Sequence, residues 1–313
     1  MTGGLPHVEL RHVLAGKSRP FTRPGSATGI DKVSLSGAVE VGRRGIVGDE
    51  QGDRRIHGGI DKAIHHYPLE HYQTWVELIG EHPRLAQPGA FGENLSTVGL
   101  NEHQVCLGDI FRCGGVLLEV SQTRQPCWKL NDRFSVSDMA VRMQTSAMTG
   151  WYYRVLQCGT LQAGDPLLLE DRPCPRWPLR KVIALLYERT LDIDALRQFS
   201  RLSLVPSWRS LVERRLVTGN VENWHDRIHG PSSGEEENME YLRVIVHLHR
   251  AYWCQIDMEH VSADGVLADI TRRFPETEGY SLEVQRKTGE RRLLESTPDG
   301  IRLLCAQGMF VKA

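Results

Sequence analysis

Gly115-Val116-Leu117-Leu118-Glu119-Val120-Ser121-Gln122-Thr123-Arg124-Gln125-Pro126-Cys127-Trp128-Lys129-Leu130 is the run from which the rest of the chain takes its meaning. Its first half is apolar and rich in branched residues, which predicts a buried strand. Where that strand stops, the chain presents two hydroxyls, two amides, an arginine, a thiol behind a proline, and a lysine. Pro126 fixes its own φ and biases Gln125 towards extended backbone, so the segment is expected to be an ordered loop and not a helix start. Arg124 and Lys129 give the Cys127 thiol a local reason to ionise, and thiolate is the form that binds soft metals or attacks electrophiles. Most free cysteines simply pack as small hydrophobes. Cationic neighbours and a strand-end position favour a functional cysteine here.

Around this run lies an ordinary composition: 313 residues, 25% charged, 40% hydrophobic, net charge −1. That is room for one large domain and one or two small ones, with a core that needs no disulfide or structural metal. The charge balance argues against broad attraction to nucleic acid or membranes but allows a local basic pocket. Seven cysteines, at 106, 113, 127, 158, 174, 254 and 305, are odd in number and scattered, with no C-x-x-C. They point to a reducing compartment and give no zinc-ribbon or iron–sulfur spacing. No apolar leader or membrane-length run is visible, so a cytoplasmic protein is expected.

Taken in order, the chain opens with strand-like pieces at Val8–Leu10 and Val13-Leu14 and then a loop. Two short strands follow around a Ser36-Gly37 turn. Residues 48–62 are polar and glycine-rich, an expected ordered loop, and Ala63–Tyr67 resumes strand character. Tyr72, Trp75, Val76 and Ile79 recur at helical spacing up to Gly80. A Gly-Asp pair interrupts each of two apolar runs, at Gly108-Asp109 and Gly164-Asp165, predicting turns or bulges in a strongly bent sheet. Residues 137–156 read as one or two helices capped by Ser135 or Ser137. The expected organisation is a barrel over 1–174, a three-helix unit over 175–228, an acidic linker over 229–239 and a small α+β module, β-grasp-like, over 240–313. Within the helical unit Arg214-Arg215 reads as a solvated face, and 263–274 reads as the helix of the last module.

Four histidines between 57 and 71 invite a zinc site. Pro68 breaks any helix that would align His66 with His71, and His65 and His66 must face opposite sides of a strand, so zinc is a minority reading. Glycines beside His57 and Lys62 suit an anion site, because backbone N–H groups can approach an oxyanion where side chains are absent; a glycine-rich surface turn is an equal alternative. A Cys127–His57 dyad, making the protein a thiol hydrolase or transferase, has no motif behind it.

Taken together, Gly48–Gln51, His57-Gly58-Gly59, Asp61-Lys62-Ala63, His66-Tyr67, Phe91–Leu95, Gly108–Phe111 and Ser121–Leu130 strongly resemble the MOSC superfamily, in its YiiM-type branch of 6-hydroxylaminopurine-resistance proteins. The resemblance runs from about residue 10 to residue 225 and says nothing of residues 229–313. It implies a fold that is mainly β barrel, with helices, followed by a three-helix unit. It also implies a molybdenum cofactor (Mo-molybdopterin) and two-electron reduction of N-hydroxylated small molecules. Cys127 matches the family's molybdenum ligand. His57, Gly58, Gly59, Lys62, Asn94, Ser121, Gln122, Arg124 and Lys129 become candidates for holding the pterin and its phosphate, and His66 for donating a proton. No flavin, haem or iron–sulfur signature is present, so electrons are expected from a separate NAD(P)H-dependent flavin reductase. No nucleic-acid or membrane partner is expected; a homodimer stays open. The competing readings are a carrier, storage or sulfur-transfer protein that binds the cofactor without turnover, and a metal-free thiol enzyme.

Overall fold

The computed structural model describes residues 8–52, 58–188, 191–230, 239–249, 251–262, 280–286, 291–297 and 300–305. Its contacts divide the chain into two units, 1–230 and 231–313.

In the first unit the strand Val116–Thr123 lies between Ile110–Cys113 and Trp151–Gln157, antiparallel to both. Trp151–Gln157 pairs with Ile64–Pro68, which runs parallel to Leu95–Thr97. On the other side Ile110–Cys113 pairs with Pro166–Asp171. The N-terminal run joins both ends of this row. Val8 and Glu9 pair with Leu167 and Pro166, while His12 and Val13 pair with Ser96 and Leu95. Between them, the Leu10 N–H donates to Asp165 O at 3.0 Å and the Arg11 N–H to Ser96 O at 2.8 Å. One run pairing with both ends curls the sheet on itself, which leaves few unpaired edge groups. The expected barrel is therefore the observed architecture.

Period-two burial shows why these residues are strands. Val116, Leu118 and Val120 are buried while Leu117 and Glu119 are half-buried; Trp151, Tyr153 and Val155 alternate in the same way with Tyr152, Arg154 and Leu156. The second strand corrects the helical expectation over 151–156. Gly150 makes the change of direction: its φ is 66° and a Cβ there would lie 2.3 Å from His66 O, so only glycine fits. Helices do occupy Lys129–Phe134 and Met139–Ser146. The Cys127 loop thus runs into a helix two residues later, against expectation, because the Pro126 restriction does not extend past Cys127. Neither expected cap acts: Ser135 ends the first helix in the left-handed region, and Asp138 precedes the second.

Both Gly-Asp pairs make turns by one device. Asp109 Oδ2 accepts from the Cys106 N–H and Asp165 Oδ2 from the Gln162 N–H, each at 2.9 Å. The strands either side of Ser36-Gly37 do not pair with each other; Lys32–Ser34 adds to His12–Gly16, and Val39–Gly42 pairs with Gly159–Leu161 and Gly45–Ile46.

Helices Leu179–Tyr187, Ile193–Phe199 and Pro206–Thr218 follow, then a short helix, His225–His229, which has too few apolar repeats to be read from periodicity. Leu179, Val182, Leu186, Phe199 and Val212 belong to the same apolar cluster as Val116, Val120 and Tyr153. A second cluster packs helix Glu70–Ile79 on the barrel's outside through Tyr72 and Trp75, with Tyr67, Phe91 and Phe134. Arg215 corrects the solvated-face expectation. It is fully buried, donates to Leu185 O and Leu186 O at 3.0 and 2.7 Å, and grips Glu222 through two nitrogens. The carbonyls left over at the end of helix Leu179–Tyr187 are what draw it inside.

In the second unit five strands pair in the order Ala251–Ser262, Met239–Leu248, Tyr280–Arg286, Arg291–Thr297, Gly300–Cys305. Every pairing is antiparallel, unlike a β-grasp sheet with its parallel central pair. The helix expected over 263–274 lies outside the described residues. Among the described residues no helix is long and apolar enough to cross a membrane.

Arg215→Met removes the donor from two buried carbonyls and the half-buried Glu222, and breaking such a pair costs roughly 3–5 kcal/mol. Exposed Arg214→Ala should stay within about 0.5 kcal/mol. Urea unfolding of the two variants, side by side, checks the contrast.

Candidate active site

Loops at one end of the barrel meet in a pocket lined by Cys127, Lys62, Arg124, Lys129, Asn94 and Lys32, with Asp49, His65, Tyr152 and the 27–30 and 50–52 backbones. Of the residues singled out from sequence, Cys127, Lys62, Asn94, Arg124 and Lys129 therefore converge. Cys127 is half-exposed, whereas Cys106 and Cys113 are buried, and burial pushes their thiols up to about 11 and about 12.

The hub of the pocket is Asp49. Its carboxylate accepts from the Gly16 N–H at 2.8 Å and from Asn94 Nδ2 at 2.9 Å, and pairs with the buried Lys32 ammonium. Asn94 is used completely: its other amide contact goes to Leu14 O at 3.1 Å, and its oxygen accepts from the His65 N–H at 3.1 Å. It acts as a brace for the strand ends, a structural task beside any ligand contact.

Arg124 donates to Phe91 O, and Lys129 Nζ to Ala27 O at 2.7 Å. Carbonyl partners hold these cations without neutralising them. The lining then carries four cations, Lys32, Lys62, Arg124 and Lys129, against two carboxylates, Asp49 and Glu50, so the pocket is electropositive. Burial lowers the Lys62 pKa, and the nearby Cys127 and Asp61 pull it back up, which places the Lys62 ammonium within electrostatic reach of the thiol. Burial likewise raises the Tyr152 hydroxyl, opposed by Arg124.

Other expected site residues stand elsewhere. Ser121 Oγ and Gln122 Nε2 both donate to Asp61 O, so they pin the Ile60–Lys62 turn that delivers Lys62 and do not line the pocket. Arg154 holds the same turn by its ion pair with Asp61. Gly58 and Gly59 lead into that turn and are not in the lining. His57 lies outside the described residues. His66 is a correction. As adjacent strand residues must, His65 and His66 face opposite sides, and it is His65 that lines the pocket. His66 points into the barrel, between Tyr153 Oη at 3.1 Å and Thr97 Oγ1 at 2.8 Å, stacked on Trp151. Burial pulls its pKa down to about 3, so it is no proton donor at neutral pH. His71, the last of the four histidines that invited a zinc site, bonds Glu102 at 2.7 Å.

Lys32, Asp49, His65 and Tyr152 went unassigned in sequence. A strand reading of 151–157 would have found Tyr152, which alternates away from Trp151 and Tyr153. Nothing local marks Lys32.

Backbone forms part of the wall. A Cβ on Gly29 would lie 2.0 Å from Glu50 O, and one on Gly52 2.4 Å from the Ala27 carbonyl. Side-chain-free walls, clustered cationic heads and a soft thiol suit an anionic group with a thiophilic centre.

Such a fold and pocket define a class: β-barrel domains that present a cysteine among cations. Family models match here, "MOSC domain" over residues 53–168 and "YiiM-like, 3-alpha helix domain" over residues 177–219. The Escherichia coli protein YiiM is 38% identical over 219 residues, covering 70% of this chain and 97% of that protein. Its crystal structure superposes with a TM-score of 0.61 at 33% identity, over 72% of this chain and 99% of that one. A Gibberella moniliformis protein named "Reductase" is 34% identical over 66% of this chain, and the match spans 37% of that longer protein. This chain belongs to the MOSC superfamily, in its YiiM-type branch. MOSC domains in general bind the molybdenum cofactor.

Burial depresses the pKa of both His65 and His66. They are neutral in the folded chain and take up protons only on unfolding, once pH falls below the ordinary histidine value of about 6.5. Stability present above that pH should decline as pH falls towards 3, by on the order of 1 kcal/mol per pH unit for each group. Urea midpoints from pH 7.5 to 5 test this, and His66→Gln should make the decline shallower.

Proposed function

We propose that this chain is a molybdenum-cofactor-dependent reductase of N-hydroxylated compounds, hydroxylaminopurines and hydroxylamines among them. What carries the reading is the half-exposed Cys127 thiol in a pocket with four cationic side chains. Family membership and a relative named as a reductase support it.

The donor set fits the cofactor. Cys127 offers the one soft ligand in the lining, and a thiolate suits molybdenum. Lys62, Arg124 and Lys129 would hold the anionic phosphate end, with glycine-walled backbone allowing a flat pterin to lie close. When bound, the cofactor supplies two electrons for N–O cleavage, so that N–OH becomes N–H and the oxygen leaves as water. The chain's own work is to orient both partners and to keep protons near them. Tyr152, whose burial makes it retain its proton, takes the place at the pocket wall that His66 was expected to fill. Electrons come from a separate NAD(P)H-dependent flavin reductase.

Cys127→Ser substitutes a hard, protonated hydroxyl for a soft thiolate of similar size. Molybdenum content should fall only in part, while reduction of 6-hydroxylaminopurine with a chemical electron donor should drop by about a hundredfold or more. Wild-type turnover in the loaded variant would overturn both the ligand assignment and the reductase reading. Molybdenum binding without turnover in the unmodified protein would make it a carrier instead.

Lys62→Ala should reduce pterin retained after gel filtration, with an unfolding midpoint close to that of the parent, since the change removes no core contact.

A further inference from the structure

The loop bearing Cys127 is held from behind by a segment that lies past both family-model matches, which end at residue 219. Helix His225–His229 ends against it, and the carbonyls that such a helix leaves over are taken in sequence by the loop and its neighbours. Arg227 O accepts from the Trp128 N–H at 2.8 Å, Ile228 O from Asn131 Nδ2 at 2.8 Å, and His229 O from Arg23 Nη2 at 2.9 Å. The Arg23 guanidinium lies 4.1 Å above the Trp128 ring and is paired with Asp132. Gly230 closes the contact so tightly that a Cβ there would lie 2.9 Å from Trp128 Cγ.

Arg227 reaches both sides of the thiol. Its guanidinium donates to Pro126 O, the carbonyl just before Cys127, and to Gln144 Oε1 at 2.7 Å. Its own carbonyl takes the N–H just after Cys127. The two peptide groups that flank Cys127 are thereby tied to one residue. Gln144 in turn donates to Tyr187 O at 2.9 Å, which anchors the clamp to the helical unit.

We propose that Arg227 is the positioning residue for Cys127: it fixes the two peptides around the thiol and so sets the direction of Sγ into the pocket. This rests on Cys127 being the functional thiol of the proposed reductase. Without those two bonds the peptides that flank Cys127 would swing, and a displacement of about 1 Å at a reacting group can cost a hundredfold in rate.

Hydrogen exchange on the full-length, cofactor-free protein tests the clamp without relying on turnover. Arg227→Met should speed exchange in the peptide covering 124–130 by about tenfold or more, leaving the strands 116–123 and 151–157 within about twofold. Arg227→Lys can still reach one acceptor and should fall between the two. In loaded protein, Arg227→Met should retain molybdenum and lower kcat by about tenfold or more with KM within about twofold. Unchanged exchange at 124–130, or an equal rise across the sheet, would overturn the proposal, the second by showing general destabilisation. So would a loss seen only in KM. Local loosening in Arg227→Met beside a parent protein with no reductase turnover would uphold the clamp and end the reductase reading.

Discussion

One strand bonded at both ends of the same sheet is the constraint on which this molecule rests. Residues 8–16 pair with 166–167 on one side and with 95–96 on the other, and nothing else described closes the row. The closure is made at the pocket: the Leu14 N–H donates to Asn94 O, Leu14 O accepts from Asn94 Nδ2, and the Gly16 N–H ends on Asp49. Because Asp49 also binds Lys32 and Asn94, the group that finishes the barrel also fixes the polar floor of the site. A change at Asp49 would therefore be felt both in the barrel and in the site.

Charge in the pocket is kept available by the way it is tethered. Arg124 and Lys129 bond to carbonyls, which satisfy hydrogen-bonding needs and orient the side chains while leaving their net charge in place. Carboxylate partners would have spent it. In a partly buried setting, where water screens weakly, such cations exert a field well above what they would in bulk solvent. An anionic ligand entering the pocket would meet counter-charges already placed, with little left to reorganise.

The helical unit is tied into this arrangement by more than sequence order. Its apolar faces share a cluster with the barrel strands. Arg215 takes up the carbonyls at the end of helix Leu179–Tyr187, and Glu222, its partner, also accepts from Trp224 Nε1 at 2.7 Å. That chain of bonds leads directly to helix His225–His229 and the back of the Cys127 loop. The helical unit is thus joined by hydrogen bonds to the segment that carries Cys127.

Sequence alone determined the strand from residue 116 to 120, which the structure continues through Thr123, the strand at 64–68, the helix 70–79, the two Gly-Asp turns and the three later helices, since periodicity, glycine and proline act locally. It also pointed to Cys127, Lys62, Asn94, Arg124 and Lys129, which line one pocket, because ordered short motifs survive in one dimension. Tertiary structure decided the rest. Which of two adjacent histidines meets the pocket depends on strand register against Trp151–Gln157, and that register is set by pairing across 85 residues or more of chain. Whether Arg215 is inside depends on carbonyls thirty residues away. Lys32 and Arg227 carry no local mark, and Asp49 stood inside the Gly48–Gln51 motif without an assigned role, because their importance arises from a charge or a hydrogen bond completed by a distant segment, and such partners exist only once the chain has closed on itself.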